Sequence, residues 1–168
     1  MVFQQPVYLW PKGAFSNKLP PRYFFELSQE ILMKIIDTPV SFSDERGKIT
    51  DMIENENINA VTLVTVKKGS VRGNHYHKKT IQWNYLISGK LRLVTQVSDK
   101  RIIETVIGKG VFFEIPPKER HAFVGLEDAQ LVVFTRGPRG GKEYESDTFR
   151  LEPPLVGPNG RPIRRTNH

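Results

Sequence analysis

Apolar positions change their rhythm once along this chain, and the change divides it. Phe24, Leu27, Ile31 and Ile35 fall three to four residues apart, a spacing that gathers side chains on one face of a helix with 3.6 residues per turn. An amphipathic helix is predicted over about 22–37. Pro20 and Pro21 stand before it, where a missing amide costs nothing because the first-turn amides lack intrahelical partners. Such a helix reads as a packed lid or a contact surface, with no chemistry of its own.

Beyond it the period shortens. Runs of β-branched and aromatic residues occupy about 48–53, 60–66, 82–87, 90–97, 101–107, 111–115, 120–124 and 130–135. Turn formers separate them, among them Gly69, Gly89, Gly108, Gly110, the Pro116 and Pro117 pair, and Glu127 with Asp128. Short strands at steps of about ten residues predict an antiparallel sandwich or barrel rather than alternating strand and helix units. The expected organisation is an N-terminal extension with its helix over 1–40, an all-β barrel over 41–151, and a tail over 152–168 rich in proline, glycine and arginine.

Composition narrows the class. Of 168 residues, 38% are hydrophobic and 26% charged, the balance of a globular domain and not of a disordered chain. No cysteine is present, so disulfides and thiolate metal sites are excluded, and any metal must rest on histidine, carboxylate or amide oxygen. The first ten residues lack a secretion signal, and no run approaches the roughly 18 apolar residues of a membrane span. A soluble, cytoplasmic protein without membrane contact is expected. The formal charge of +7 favours anionic partners. No zinc-finger, helix-turn-helix or RNA-binding signature accompanies the basic residues, which points away from nucleic acid and towards a phosphorylated small molecule.

The candidate chemistry lies in histidines. His75 and His77 are separated by one residue, so a strand carries both on one face with Cα atoms about 6.6 Å apart. Two imidazoles so placed can share an ion at bond lengths of about 2.0–2.1 Å. Gln82 follows five residues later and offers an oxygen, and His121 arrives beyond the Pro116 turn. Three nitrogens and one oxygen leave positions open on an octahedral ion, an arrangement suited to catalysis. A metal-free barrel in which these groups bind or deprotonate a substrate is the competing reading. His168, at the terminus, is read as a surface residue.

Gly69, His75, His77, Gln82 and Gly89 stand at the spacing of the first cupin motif, and Gly110, Pro116 and His121 follow the second. The chain thus resembles the cupins, and the resemblance implies a double-stranded β-helix, a jelly-roll barrel, behind the N-terminal helix. Three positions depart from the motifs: Gln82 stands for a glutamate, Lys118 for a glycine and Gly125 for an asparagine. A neutral amide in place of a carboxylate leaves a divalent site more positive and weaker.

The stretch from Ser43 to Leu93, with Asp44, Glu45, Arg46 and Gly47 leading into the run Arg72, Gly73, Asn74, His75, Tyr76, His77, is similar to cupin domains of capsular polysaccharide and nucleotide-sugar enzymes. It resembles more distantly the dTDP-4-dehydrorhamnose 3,5-epimerases and dTDP-sugar ketoisomerases. That resemblance implies an isomerase or epimerase of a nucleotide-linked keto sugar in polysaccharide biosynthesis, in which Arg72 meets the substrate and His75 acts as base. It also implies a homodimer. A histidine that gives its lone pair to a metal cannot also take a proton, so Tyr85, Tyr144 and Glu119 are the further candidates to move protons. Arg72, His75 and Tyr85 make up the expected catalytic set. His75, His77, Gln82 and His121 make up the expected ligand set for a divalent ion such as zinc, iron, nickel or manganese. A metal-dependent dioxygenase and a non-enzymatic carbohydrate-binding module stay open, and Lys78, Lys79 and Lys118 are candidate anion-attracting groups at the barrel rim.

Overall fold

The computed structural model describes residues 33–97, 101–139 and 142–163. In chain order its strands are β1 (Lys34–Ile36), β2 (Phe42–Asp44), β3 (Gly47–Ile49), β4 (Ala60–Val66), β5 (Val71–Tyr76), β6 (Ile81–Ser88), β7 (Lys90–Val97), β8 (Ile103–Gly108), β9 (Phe112–Ile115), β10 (Glu119–Gly125) and β11 (Ala129–Arg136), then helix α1 (Lys142–Ser146) and strand β12 (Phe149–Arg150). One five-stranded sheet runs β1-β9-β6-β11-β4, a second runs β12-β5-β10-β7-β8, and β2 with β3 forms a separate hairpin. The pairings within both sheets are antiparallel, with β6 beside β11 and β5 beside β10. This is the all-β cupin architecture that the motif spacing led us to expect.

Alternation along each strand decides what is buried. Leu86 of β6, Leu91 and Leu93 of β7, Phe113 and Ile115 of β9, Phe123 of β10, and Leu131 and Val133 of β11 meet between the sheets as one cluster. The intervening residues Val94, Ala122 and Val124 face the other way, and Leu155 and Val156 of the tail cover them. Full burial of a side chain of that size contributes about 1.5–3 kcal/mol, which offsets the cost of ordering a segment rich in proline and glycine. The described part of the tail therefore lies on its own barrel.

The helix expected over 22–37 needs correction at its end. Residues 22–32 lie outside the described residues, but Lys34–Ile36 is a strand paired with β9, with Ile35 opposite Phe113. Pairing here gives the amides of β9 a partner they would otherwise lack at the sheet edge, and that long-range gain overrides the helical spacing of Ile31 and Ile35. Two departures from the cupin motifs also find physical reasons. Lys118 adopts φ +69°, a left-handed conformation that favours glycine. A Cβ at Gly125 would stand 2.2 Å from the Lys67 carbonyl oxygen, so no asparagine fits there.

Candidate metal centre and its cavity

The three internal histidines converge. His75 lies opposite His121 across the β5–β10 ladder, so the two rings share the inward face, and His77 follows at the same parity just past the end of β5. Ring centroids are 4.8 Å apart for His75 and His77, 4.7 Å for His75 and His121, and 5.8 Å for His77 and His121. One ligand nitrogen from each lies within 4.8 Å of the others. His77 and His121 are buried, at 4% and 1% exposure.

Hydrogen bonds fix two of the rings. His77 Nδ1 donates to the Asp147 carbonyl at 2.8 Å, and His121 Nδ1 donates to the Glu119 carbonyl at 3.0 Å. A carbonyl only accepts, so Nδ1 carries the proton and the lone pair is left on Nε2. Buried His77 Nε2 has no partner, an orphaned acceptor of the kind a metal ion satisfies. Burial pushes all three imidazoles towards the neutral form. His75 falls to about 4, through burial first and then the charges of His77, Arg150 and Arg139. His121 falls well below its usual value through burial and then His75. His77 falls through burial, against the opposing pull of Asp147. Neutral rings with inward lone pairs fit a divalent ion.

Asp147 holds this arrangement from outside the histidine set. Its carboxylate accepts from the amides of Lys78 (3.1 Å), Lys79 (3.2 Å) and Thr80 (3.0 Å) and from the Thr80 hydroxyl (2.6 Å). Burial works to raise its pKa, but these bonds outweigh it and hold the group below the usual carboxylate range. The same residue thus pins the turn after His77 with its side chain and orients the His77 ring with its backbone. Sequence reasoning passed over it, because the contact spans 70 positions and a lone aspartate after a short helix carries no motif.

His75, Gln82 and His121 line one cavity of about 120 Å³ together with Arg72, Asn84, Arg139 and Tyr144. Gln82, at 6% exposure, thus shares the cavity wall with His75 and His121. Arg139 stacks on the Tyr144 ring at 4.6 Å, and Tyr144 in turn lies 6.2 Å from His77, centroid to centroid. Neither Arg72 nor Arg139 forms an ion pair among the described residues, so both cations are available to a ligand. Arg139 was not singled out from the sequence, where it was one basic residue among many.

Other expected residues fall elsewhere. Tyr85 does not line this cavity: it pairs with Phe112 and Val132 and alternates with inward Asn84 and Leu86, so it faces away. Lys78, Lys79 and Lys118 are exposed and absent from the lining, with Lys78 resting on the Phe149 ring at 4.0 Å. Glu119 is buried, and neither carboxyl oxygen makes a close hydrogen bond among the described residues. Burial raises it to about 7, with Thr95 and the Met33 amide offsetting part of the rise. His168 lies outside the described residues. No helix among the described residues is long and apolar enough to cross a membrane.

Residues 42–149 match the family model of the polysaccharide biosynthesis C-terminal domain. Over 40 residues the chain is 48% identical to the oxalate decarboxylase OxdC of Bacillus subtilis, a stretch that is 24% of this chain and only 10% of that protein. Among solved structures it is similar to QdtA, a sugar 3,4-ketoisomerase from Thermoanaerobacterium thermosaccharolyticum in complex with TDP, at 19% identity and a TM-score of 0.60, covering 73% of this chain and 90% of that one. It is also similar to the dTDP-6-deoxy-D-glucose-3,5-epimerase RmlC from Legionella pneumophila in complex with dTDP-4-keto-L-rhamnose. There the identity is 17% and the TM-score 0.56, covering 71% of this chain and 72% of that one. At these identities the likeness establishes a common fold.

Proposed function

The chain belongs to the polysaccharide biosynthesis C-terminal domain family, and on that premise we propose that it is an isomerase or epimerase of a nucleotide-linked keto sugar. The observation that carries the reading is a single cavity lined at once by Arg72 and Arg139, neither in an ion pair among the described residues, and by His75, Gln82 and His121. Guanidinium groups bind the oxygens of a diphosphate in pairs, which leaves the sugar to face the imidazoles. Beside the carbonyl of a keto sugar the C–H bonds are acidified, so the reaction needs a base, an acid and something to hold the enolate. His75, His77 and His121, with the amide of Gln82, are the residues to hold a divalent ion. Such an ion, when bound, stabilises negative charge on an enolate oxygen as a Lewis acid. Tyr144, on the cavity wall, is then the group placed to exchange protons with the sugar.

A second reading rests on one observation. His75 alone of the three makes no hydrogen bond through its ring among the described residues. In a metal-free barrel it is free to act as the base, with Arg72 as its substrate-binding neighbour, as the resemblance implies. The homodimer belongs to this proposal as well: Val61 and Leu63, 63% and 59% exposed on edge strand β4, are the apolar surface for a second copy, and light scattering that finds only monomer removes it.

Proton NMR in deuterated buffer tests the function with a panel of nucleotide 4-keto sugars that includes TDP-4-keto-6-deoxyglucose. The expected result is loss of the proton signal at a carbon next to the carbonyl of at least one of them. No exchange with any, alongside tight binding of a sugar, makes the protein a binding module; oxygen uptake by the iron-loaded form with an enol substrate makes it a dioxygenase.

A further inference from the structure

Strand β5 holds one residue more than its partner. His75 lies opposite His121, but Gly73 lies opposite Ala122, so Asn74 has no counterpart on β10. Without that bulge Arg72 and His75, three positions apart, would point to opposite faces of the sheet. With it, Arg72 falls opposite Phe123 and His75 opposite His121, and both line the cavity. A β-bulge re-aims side chains in this way.

The bulge is conformationally demanding. Gly73 has φ +93° and Asn74 φ +55°, two successive left-handed residues. A Cβ on Gly73 would approach the His121 carbonyl oxygen at 2.9 Å, so only glycine fits. Asparagine tolerates the left-handed region better than most residues, but still not freely.

What holds Asn74 there is the tail. Asn74 Nδ2 donates to the Val156 carbonyl at 2.9 Å, and the Val156 amide donates to Asn74 Oδ1 at 3.0 Å. The Leu151 amide donates to the Asn74 carbonyl at 2.8 Å. The side-chain amide thus pairs with a backbone amide as another strand would. Val156 is itself locked in place at 1% exposure against Val94, Ala122 and Val124, and Arg92 donates to the Gly160 carbonyl further along.

We propose that Asn74 and tail residues 151–156 form a clamp that positions Arg72 and His75 towards the cavity, which makes the tail a working part of the site. Asn74 and Val156 are positioning residues, since neither lines the cavity. The consequence for ligand binding rests on the nucleotide-sugar reading; the placement of the two side chains does not.

Two variants loosen the clamp from opposite sides. Val156→Pro removes the amide that bonds Asn74 Oδ1 from a position outside the cavity, and Asn74→Gly relieves the left-handed strain while deleting both side-chain bonds. The readouts are the NMR resonances of the His75 ring and the Arg72 guanidinium, and the affinity for TDP by calorimetry. Both resonances are expected to move in both variants, while the His77 ring, tied to Asp147, moves less, and TDP affinity falls at least tenfold. Asn74→Asp, which keeps the acceptor for the Val156 amide, carries the test if Asn74→Gly fails to fold, and is expected to fall between. Resonances of Arg72 and His75 unchanged in the folded variants overturn the clamp, whatever happens to the melting temperature. If wild-type protein does not bind TDP, the nucleotide-sugar reading fails and the resonances alone decide the clamp.

Discussion

Replacing Glu119 with glutamine should make the metal-free protein more stable at pH 8 and leave it nearly unchanged at pH 5. Glu119 is 1% exposed, and Thr95 with the Met33 amide offsets only part of the cost of burying its charge, so its charged form is poorly solvated. Burial therefore lifts it from 4.5 to about 7. The unfolded chain loses this proton near pH 4.5, whereas the barrel keeps it until about 7. Between those values the native state binds more protons than the unfolded one, so stability falls as pH rises through the window. At about 1.4 kcal/mol per pH unit the full loss is about 3 kcal/mol, complete above pH 7. Glutamine cannot ionise and escapes this loss. Urea denaturation of both proteins at pH 5, 6, 7 and 8 isolates the effect, because other titrations cancel in the difference. The expected advantage of E119Q grows from near zero to about 2–3 kcal/mol across the series. A difference that stays flat with pH, or a variant that loses ground at pH 8, refutes the reasoning.

Further outcomes concern the groups around the histidines. Asp147→Ala strips four donors of their acceptor, and at roughly 1.5–3 kcal/mol per charge-assisted bond, counting only the two buried ones at Thr80, it should cost about 3–6 kcal/mol and lower the melting temperature by about 10 °C or more. The backbone carbonyl that accepts from His77 Nδ1 survives this substitution, so zinc affinity should fall by less than the roughly 10–100-fold that loss of a ligand's own partner costs; thermal scans that find stability unchanged remove Asp147 from the site. Gln82→Glu should act with opposite signs: weaker folding without metal, because a buried carboxylate lacks a partner, and at least tenfold tighter zinc binding with it. Thermal scans of both forms check this. Acid should destabilise the metal-free barrel, since an unfolded histidine takes up a proton near 6.5 while His75 resists until about 4. Stability therefore drops as pH falls through that range, and scans of His75→Ala against wild type should show part of the drop removed.

How much of this was legible beforehand depended on the distance over which each contact acts. His75, His77, Gln82 and His121 were readable because motif spacing and the two-residue period of a strand bring them to one face without knowledge of the tertiary fold. Arg72 was readable only through resemblance, since strict alternation would turn it away from His75; the bulge at Asn74 reverses that, and no local pattern marks it. Asp147 and Val156 act on residues 70 and 82 positions away, beyond any spacing rule. Tyr85 was misplaced for a simpler reason: it differs by an odd number of residues from Gln82, and β6 has no bulge to compensate where it pairs with β9. Ile35 kept its helical spacing with Ile31, yet pairing with β9 decided its conformation.

Cobalt titration of tag-free protein stripped with chelator, followed by visible absorption, addresses the converging imidazoles most directly. The expected result is uptake of one equivalent per chain with ligand-field bands, lost in His121→Ala while that variant stays folded. Failure of the wild-type protein to take up cobalt, or identical uptake by His121→Ala, would contradict a metal centre built from His75, His77 and His121.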